Sequence, residues 1–126
     1  MARPSDYTPK TADAICERLA DGDSLRSICG AKNMPNKATV FRWLGAHPEF
    51  RDQYARARES QADSYVDDIA DIADLAKPED VAVARLRVDA RKWAAGKLRP
   101  KVYGDKLDIE QTGRIALTLN RTESDL

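Results

Sequence analysis

A single histidine and only two cysteines among 126 residues deny this chain the usual ligand sets of a metal centre. His47 stands alone, and Cys16 and Cys29 have no partner thiol at C-x-x-C spacing, so a zinc site lacks donors. Both cysteines fall on apolar helical faces and read as buried free thiols. The sequence also lacks a G-x-x-x-x-G-K-[ST] phosphate loop and any serine–histidine–aspartate set around its one histidine, so neither nucleotide hydrolysis nor acyl transfer has a carrier. No apolar run approaches the roughly 20 residues of a bilayer span. The opening MARPSDYTPK has no signal-peptide core. The expectation is a cytoplasmic, non-enzymatic protein without cofactor or membrane.

Net charge is missing as well, since 21 Lys and Arg balance 21 Asp and Glu. That argues against a generic nucleic-acid coat, but the balance is not local. Residues 1–60 carry ten basic against eight acidic side chains, residues 61–76 five acidic and no basic, and residues 77–106 nine basic against four acidic. A composition of 42% hydrophobic and 33% charged residues is that of a folded, helix-rich protein.

The most informative stretch runs from Asp23 to Leu44. Leu25, Ile28 and Cys29 form the apolar side of one short helix, and Asp23 or Ser24 supplies its cap. The turn Asn33-Met34-Pro35-Asn36 follows, with Asn33 suited to a left-handed backbone and Asn36 to capping the next helix. Before this pair, the first ten residues read as an extended arm bearing Arg3 and Lys10. Thr11 to Asp21 reads as a helix whose Ala12, Ile15, Cys16 and Leu19 share one stripe, ended by Gly22. Three short helices with a proline-marked turn make a helix-turn-helix, a unit that usually lays its last helix in the DNA major groove. On that last helix, Val40, Phe41, Trp43 and Leu44 are expected to face the core, leaving Ala38, Thr39 and Arg42 outward. Arginine can pair with guanine through two bonds, and threonine can touch a phosphate or a thymine methyl. Lys32 and Lys37 are candidates for phosphate contact.

From Glu49 to Ala76 there is neither proline nor glycine, which predicts one helix on the order of 40 Å long. Ala62, Tyr65, Ile69, Ile72 and Ala76 form a seam that requires a partner. Asp63, Asp67, Asp68, Asp71 and Asp74 spread around more than one face, which suits a solvated acidic surface better than a magnesium site. Lys77-Pro78 breaks the helix and a second, Glu79 to Leu98, should pack antiparallel to it. Its apolar residues cover a wide arc, with Val81, Ala84 and Val88 on one line and Ala82, Leu86 and Trp93 on the next. Its arginines and lysines can pair with the aspartates, within a subunit or between neighbours, and DNA contact is the competing reading. The tail changes period: Leu107, Ile109 and Gln111, then Thr112-Gly113, then Ile115, Leu117 and Leu119 read as a β-hairpin. A lone hairpin is marginal in water, so this one calls for neighbouring copies.

Four segments together resemble the small terminase subunit of tailed bacteriophages, in its short type with an N-terminal helix-turn-helix. They are RPSDYTP at 3–9, MPNKATVFRWL at 34–44, HPEFRDQYARARESQADS at 47–64 and ARLRVDARKWAAGKLRPKVYGDK at 84–106. The resemblance implies a protein that binds the packaging initiation site on double-stranded viral DNA and recruits the large terminase subunit, which hydrolyses ATP and cuts DNA in the host bacterial cytoplasm. It also implies a homo-oligomeric ring of roughly eight to ten copies. By resemblance, Lys32, Lys37, Thr39 and Arg42 are the DNA-contact candidates, with Arg3 and Lys10 on the arm beside them, and the final RTESDL is the segment that meets the large subunit. The expected fold class is mainly α: a helix-turn-helix over 1–47, an antiparallel helical hairpin for oligomerisation over 48–101, and over 102–126 a β-hairpin contributing to an inter-subunit β-barrel. The alternative is a dimeric helix-turn-helix transcriptional regulator. A third reading is a structural ring that barely touches DNA.

Overall fold

The computed structural model describes residues 5–104. Six helices follow one another: α1 (Pro9–Ala20), α2 (Leu25–Cys29), α3 (Lys37–Ala46), α4 (Pro48–Leu75), α5 (Val81–Leu98) and α6 (Pro100–Tyr103). Local chemistry sets nearly every boundary in the first half. Thr8 caps α1 by accepting a hydrogen bond from the Thr11 amide at 3.2 Å, with Pro9 opening the helix, where its missing N–H costs nothing. The helix ends on Gly22, whose φ of 111° few other residues tolerate. Its N–H bonds Leu19 O at 2.9 Å and the next N–H, of Asp23, bonds Arg18 O at 3.1 Å, a Schellman termination. Ser24 caps α2 and Asn36 caps α3, accepting from the Ser27 and Thr39 amides at 3.0 and 2.9 Å. Asn33 adopts the expected left-handed conformation, with φ 67°.

Because α1 begins at Pro9, Lys10 stands in its first turn and not on an extended arm. The chain just before it is anchored by Tyr7. That ring stacks on His47 with centroids 3.8 Å apart and meets Trp43 edge-on at 5.5 Å.

One residue, His47, separates α3 from α4. It precedes Pro48, so its backbone is pushed out of the helical region, and the chain turns there. From that corner α4 runs for 28 residues and serves two partners. Its first half joins Ala12, Ile15, Cys16, Leu19, Leu25, Ile28, Val40 and Trp43 through Phe50 and Ala57, closing the N-terminal core. Burial pushes the Cys16 thiol up to about 11, and Cys16 and Cys29 are buried with no disulfide between them.

Polar bonds fix the register of α4 against α1. Gln61 is completely buried, and its Nε2 donates to Asp23 O at 2.8 Å while its Oε1 accepts from Arg58 Nη1 at 2.7 Å. Arg58 also donates to the Tyr54 hydroxyl at 3.0 Å. Ser64 donates to Ala20 O at 2.5 Å, and Gln53 to Asp13 at 2.7 Å. Two of these acceptors are carbonyls at the end of α1 or just beyond it, where the helix itself supplies no donor. Gly22 sits against the same stretch, a Cβ there lying 3.9 Å from that of Ser64.

The second half of α4 pairs antiparallel with α5, as the short Lys77-Pro78 break requires. Arg91 bonds Asp68 at 3.3 Å and Arg99 bonds Asp63 at 2.9 and 3.1 Å. Of the five aspartates, then, two are ion-paired within the subunit, while Asp67, Asp71 and Asp74 form no ion pair among the described residues. The single turn α6 is held down by the Tyr103 hydroxyl, which donates to Asp63 at 2.7 Å. That bond and then Arg99 hold the Asp63 carboxyl below its usual range, and the same bond raises Tyr103.

Every element among the described residues is helical. The expected class therefore needs correction: the chain is mainly α, but the C-terminal β-hairpin and inter-subunit β-barrel form no part of the observed architecture. The stretch read as a hairpin lies outside the described residues, and no strand among those described offers an edge for one to join.

Replacing Gln61 by leucine keeps the volume but strands the Asp23 carbonyl and one Arg58 donor inside the fold. We expect a loss of about 1–3 kcal/mol, read as a lowered urea midpoint. An unchanged midpoint would show that the bond contributes nothing net.

Candidate nucleic-acid interface

Between Ser24 and His47 there is no aspartate or glutamate, while Arg26, Lys32, Lys37 and Arg42 are present, a local charge of +4. The near-neutral count for residues 1–60 conceals this, because its acids lie in the flanking segments. All four cations are exposed, and none forms an ion pair among the described residues. The unit α2–turn–α3 thus carries positive charge that no ion pair among the described residues offsets.

The turn presents Lys32 and positions α3. Pro35 is completely buried beside it, Asn33 reverses the chain, and Asn36 starts the helix. The last turn of α3 is fixed from outside, since Arg51 Nη1 donates to Leu44 O at 2.7 Å. A guanidinium at that end also complements the helix dipole.

The faces of α3 differ from the expectation at two positions. Thr39 was expected to point outward, but it is 7% exposed and shares the buried side of the helix with Val40 and Trp43. Phe41 was expected in the core, yet it is 55% exposed. Helical geometry explains both. Thr39 lies four residues before Trp43, on the same side, whereas Phe41 lies two residues before it, about 200° around at 100° per residue. With Trp43 committed to the core, Phe41 is forced out whatever its hydrophobicity. The outward surface is therefore Lys37, Phe41, Gly45, Ala38 and Arg42, in that order over roughly 140° of the circumference. Gly45 faces open space, with nothing within 4 Å of where a Cβ would sit.

The structure thus gathers Lys37 and Arg42 on one helix, with Lys32 in the turn leading to it. It takes Thr39 away from that face, and Lys10 stands exposed on α1. Arg3 lies outside the described residues. The sequence reading did not propose Phe41, Arg26 or Arg51, although the angular offset from Trp43 was enough to find the first. Elsewhere, no group of three or more His, Cys, Asp or Glu among the described residues could hold a metal ion, and no helix there is long and apolar enough to cross a membrane.

With this geometry in place, comparisons with known proteins are informative. A family model described as bacteriophage Sf6, terminase small subunit-like, matches residues 7–110. Among solved structures, three point mutants of the terminase small subunit gp1 of the bacterial virus Sf6 are similar to this chain. Two are 54% identical and one 53%, each with a TM-score of 0.75 and covering 82% of this chain and 81% of that one. A search of curated proteins returned no match.

The face assignment is directly testable with lysine. Placed at Ala38 it should change stability by no more than about 0.5 kcal/mol, whereas at Thr39 it buries a charge and should cost about 2 kcal/mol or more. Equal costs in thermal melts would refute the orientation.

Proposed function

The chain belongs to the bacteriophage Sf6 terminase small subunit-like family, and on that footing we propose that it recognises the packaging initiation site on double-stranded viral DNA and recruits the large terminase subunit. Membership supports a role in viral DNA packaging. The finer reading rests above all on the acid-free α2–α3 unit, whose exposed face carries Lys37 and Arg42 with Lys32 in the turn before it. In this reading Arg42 pairs with a guanine edge, and Lys32 and Lys37 hold phosphates. Lys10 and Arg3 are secondary phosphate contacts. The protein itself carries out no chemistry, ATP hydrolysis and cutting belonging to the large subunit, and it acts in the host cytoplasm.

We place the working form as a homo-oligomeric ring, and α5 is the support for it. Ala84, Val88 and Ala95 lie on one side of this helix, and Leu86 and Trp93 lie about 160–180° from Ala95 on the other. Both are 68% exposed, with Val83 half-exposed and Ala90 beside them. A helix that is apolar on opposite sides is built to be covered on both. Within the subunit α4 covers one side only. An open groove of about 880 Å³ between α4, α5 and α6, lined by Val66, Ile69 and Trp93, adds to the uncovered surface. Asp67, Asp71 and Asp74 on α4, without an ion pair among the described residues, and exposed Arg85 and Lys92 on α5 give neighbouring copies opposite charges to align. In this division of labour residues 1–47 serve DNA, 48–101 serve assembly, and the final RTESDL serves the large subunit.

Arg42→Ala should weaken binding to a packaging-site duplex by about 1–3 kcal/mol without altering oligomer mass. Retained affinity would instead favour a ring that scaffolds the motor without reading DNA. Leu86→Asp combined with Trp93→Asp should lower the mass seen by light scattering toward the 14.0 kDa of one chain. A wild-type mass of only two chains would favour the dimeric regulator.

A further inference from the structure

Phe41 is left unexplained by a reading that relies on cations. Its ring is 55% exposed on the outer face of α3, where the core contacts made by Val40 and Trp43 cannot reach it. Ala38 and Gly45, its neighbours at three residues before and four after, are too small to shield it on the helix surface. Lys37 and Arg42 flank it around the circumference, both free of ion pairs among the described residues.

Any occupant of this surface must therefore satisfy two demands together. It must carry negative charge within reach of Lys37 and Arg42, and between those charges it must offer something apolar. A purely apolar protein face fails the first demand and a purely acidic one the second, while a mixed face on another copy is told apart by oligomer mass in the test below. The major groove of DNA meets both, because phosphates border it and its floor carries one apolar group, the C5 methyl of thymine. The smallness of Ala38 and Gly45 lets the helix backbone come close enough for the ring to reach that depth.

We propose that Phe41 reads thymine methyl groups in the major groove and is a specificity-determining residue of the DNA contact. This rests on the DNA-binding function assigned to α3 and adds the base it discriminates. Arg42 then selects guanine, Phe41 selects thymine, and the order of the two bases is set by their 100° separation on one helix.

The test uses the full-length oligomer. A duplex is enriched from a random-sequence pool by the wild-type protein, then synthesised in parallel with each thymine replaced by deoxyuridine, which lacks only the methyl. Wild type should bind the deoxyuridine version at one or more positions roughly fourfold more weakly per methyl lost, the value of one buried carbon. Phe41→Ala should bind the thymine duplex with the same reduction and no longer distinguish the two, while keeping wild-type oligomer mass and melting temperature. Arg42→Ala, weaker throughout, should retain the thymine preference.

Three results would overturn the proposal. If wild type and Phe41→Ala are equally indifferent to the methyl while Arg42→Ala still weakens binding, DNA recognition by α3 stands and this inference alone falls. A reduced oligomer mass for Phe41→Ala would assign the aromatic ring to a subunit contact. If no duplex is enriched at all, the DNA-binding function fails first and takes this inference with it.

Discussion

The buried amide of Gln61 fixes how α4 lies against the end of α1. A polar side chain with no exposure is tolerated only when its groups are bonded, and this one donates to Asp23 O and accepts from Arg58. Together with the Ser64–Ala20 bond, it ties the middle of α4 to the turn that ends α1 and begins α2. The apolar contacts of Phe50 and Ala57 would permit some sliding of α4 along α1, since hydrophobic burial has little direction. Hydrogen bonds to two particular carbonyls do not. The direction in which α3 presents its outer face is set relative to α4 by this attachment and by the corner at His47.

The same helix links the two halves of the chain. Its first two turns and more belong to the N-terminal core, and its later turns carry Asp63 and Asp68 to the arginines of α5. α4 is thus one continuous rod between its pairing with α5 and the core that positions α3, with a register that hydrogen bonds fix. Charge is divided accordingly. Two aspartates are consumed inside the hairpin, three remain on its surface, and the acid-free stretch from Ser24 to His47 lies at the other end of the rod.

Much of this was legible in the residues, because much of it is local. Ser24 and Asn36 have side chains that accept bonds from amides three residues on; Gly22 and Asn33 tolerate positive φ; Pro48 and Pro78 cannot continue a helix. Such signals act within a few positions and survive any tertiary context. The stripe Ala12–Ile15–Cys16–Leu19 was equally plain from its spacing, as was the antiparallel return of α5. What the sequence reading missed depends on which of several apolar residues wins the core. Hydrophobicity alone ranks Phe41 with Trp43, and only the commitment of Trp43 and Val40 to the packed side expels Phe41 and draws Thr39 in. The β-hairpin expected from the alternation after Leu107 has no counterpart among the described elements, all of which are helical, and the stretch itself lies outside the described residues.

By itself, then, the sequence determined most helix ends in the first half, the turn between α2 and α3, the long α4 with its returning partner, and the segregation of charge. Each of these is encoded by neighbours in the chain. The tertiary structure decided which residues of α3 face outward, that Gln61 would be buried and bonded to a carbonyl 38 positions away, and that two of five aspartates would be paired within the subunit. Those outcomes depend on volume and bonding partners brought from distant positions, which no local pattern contains.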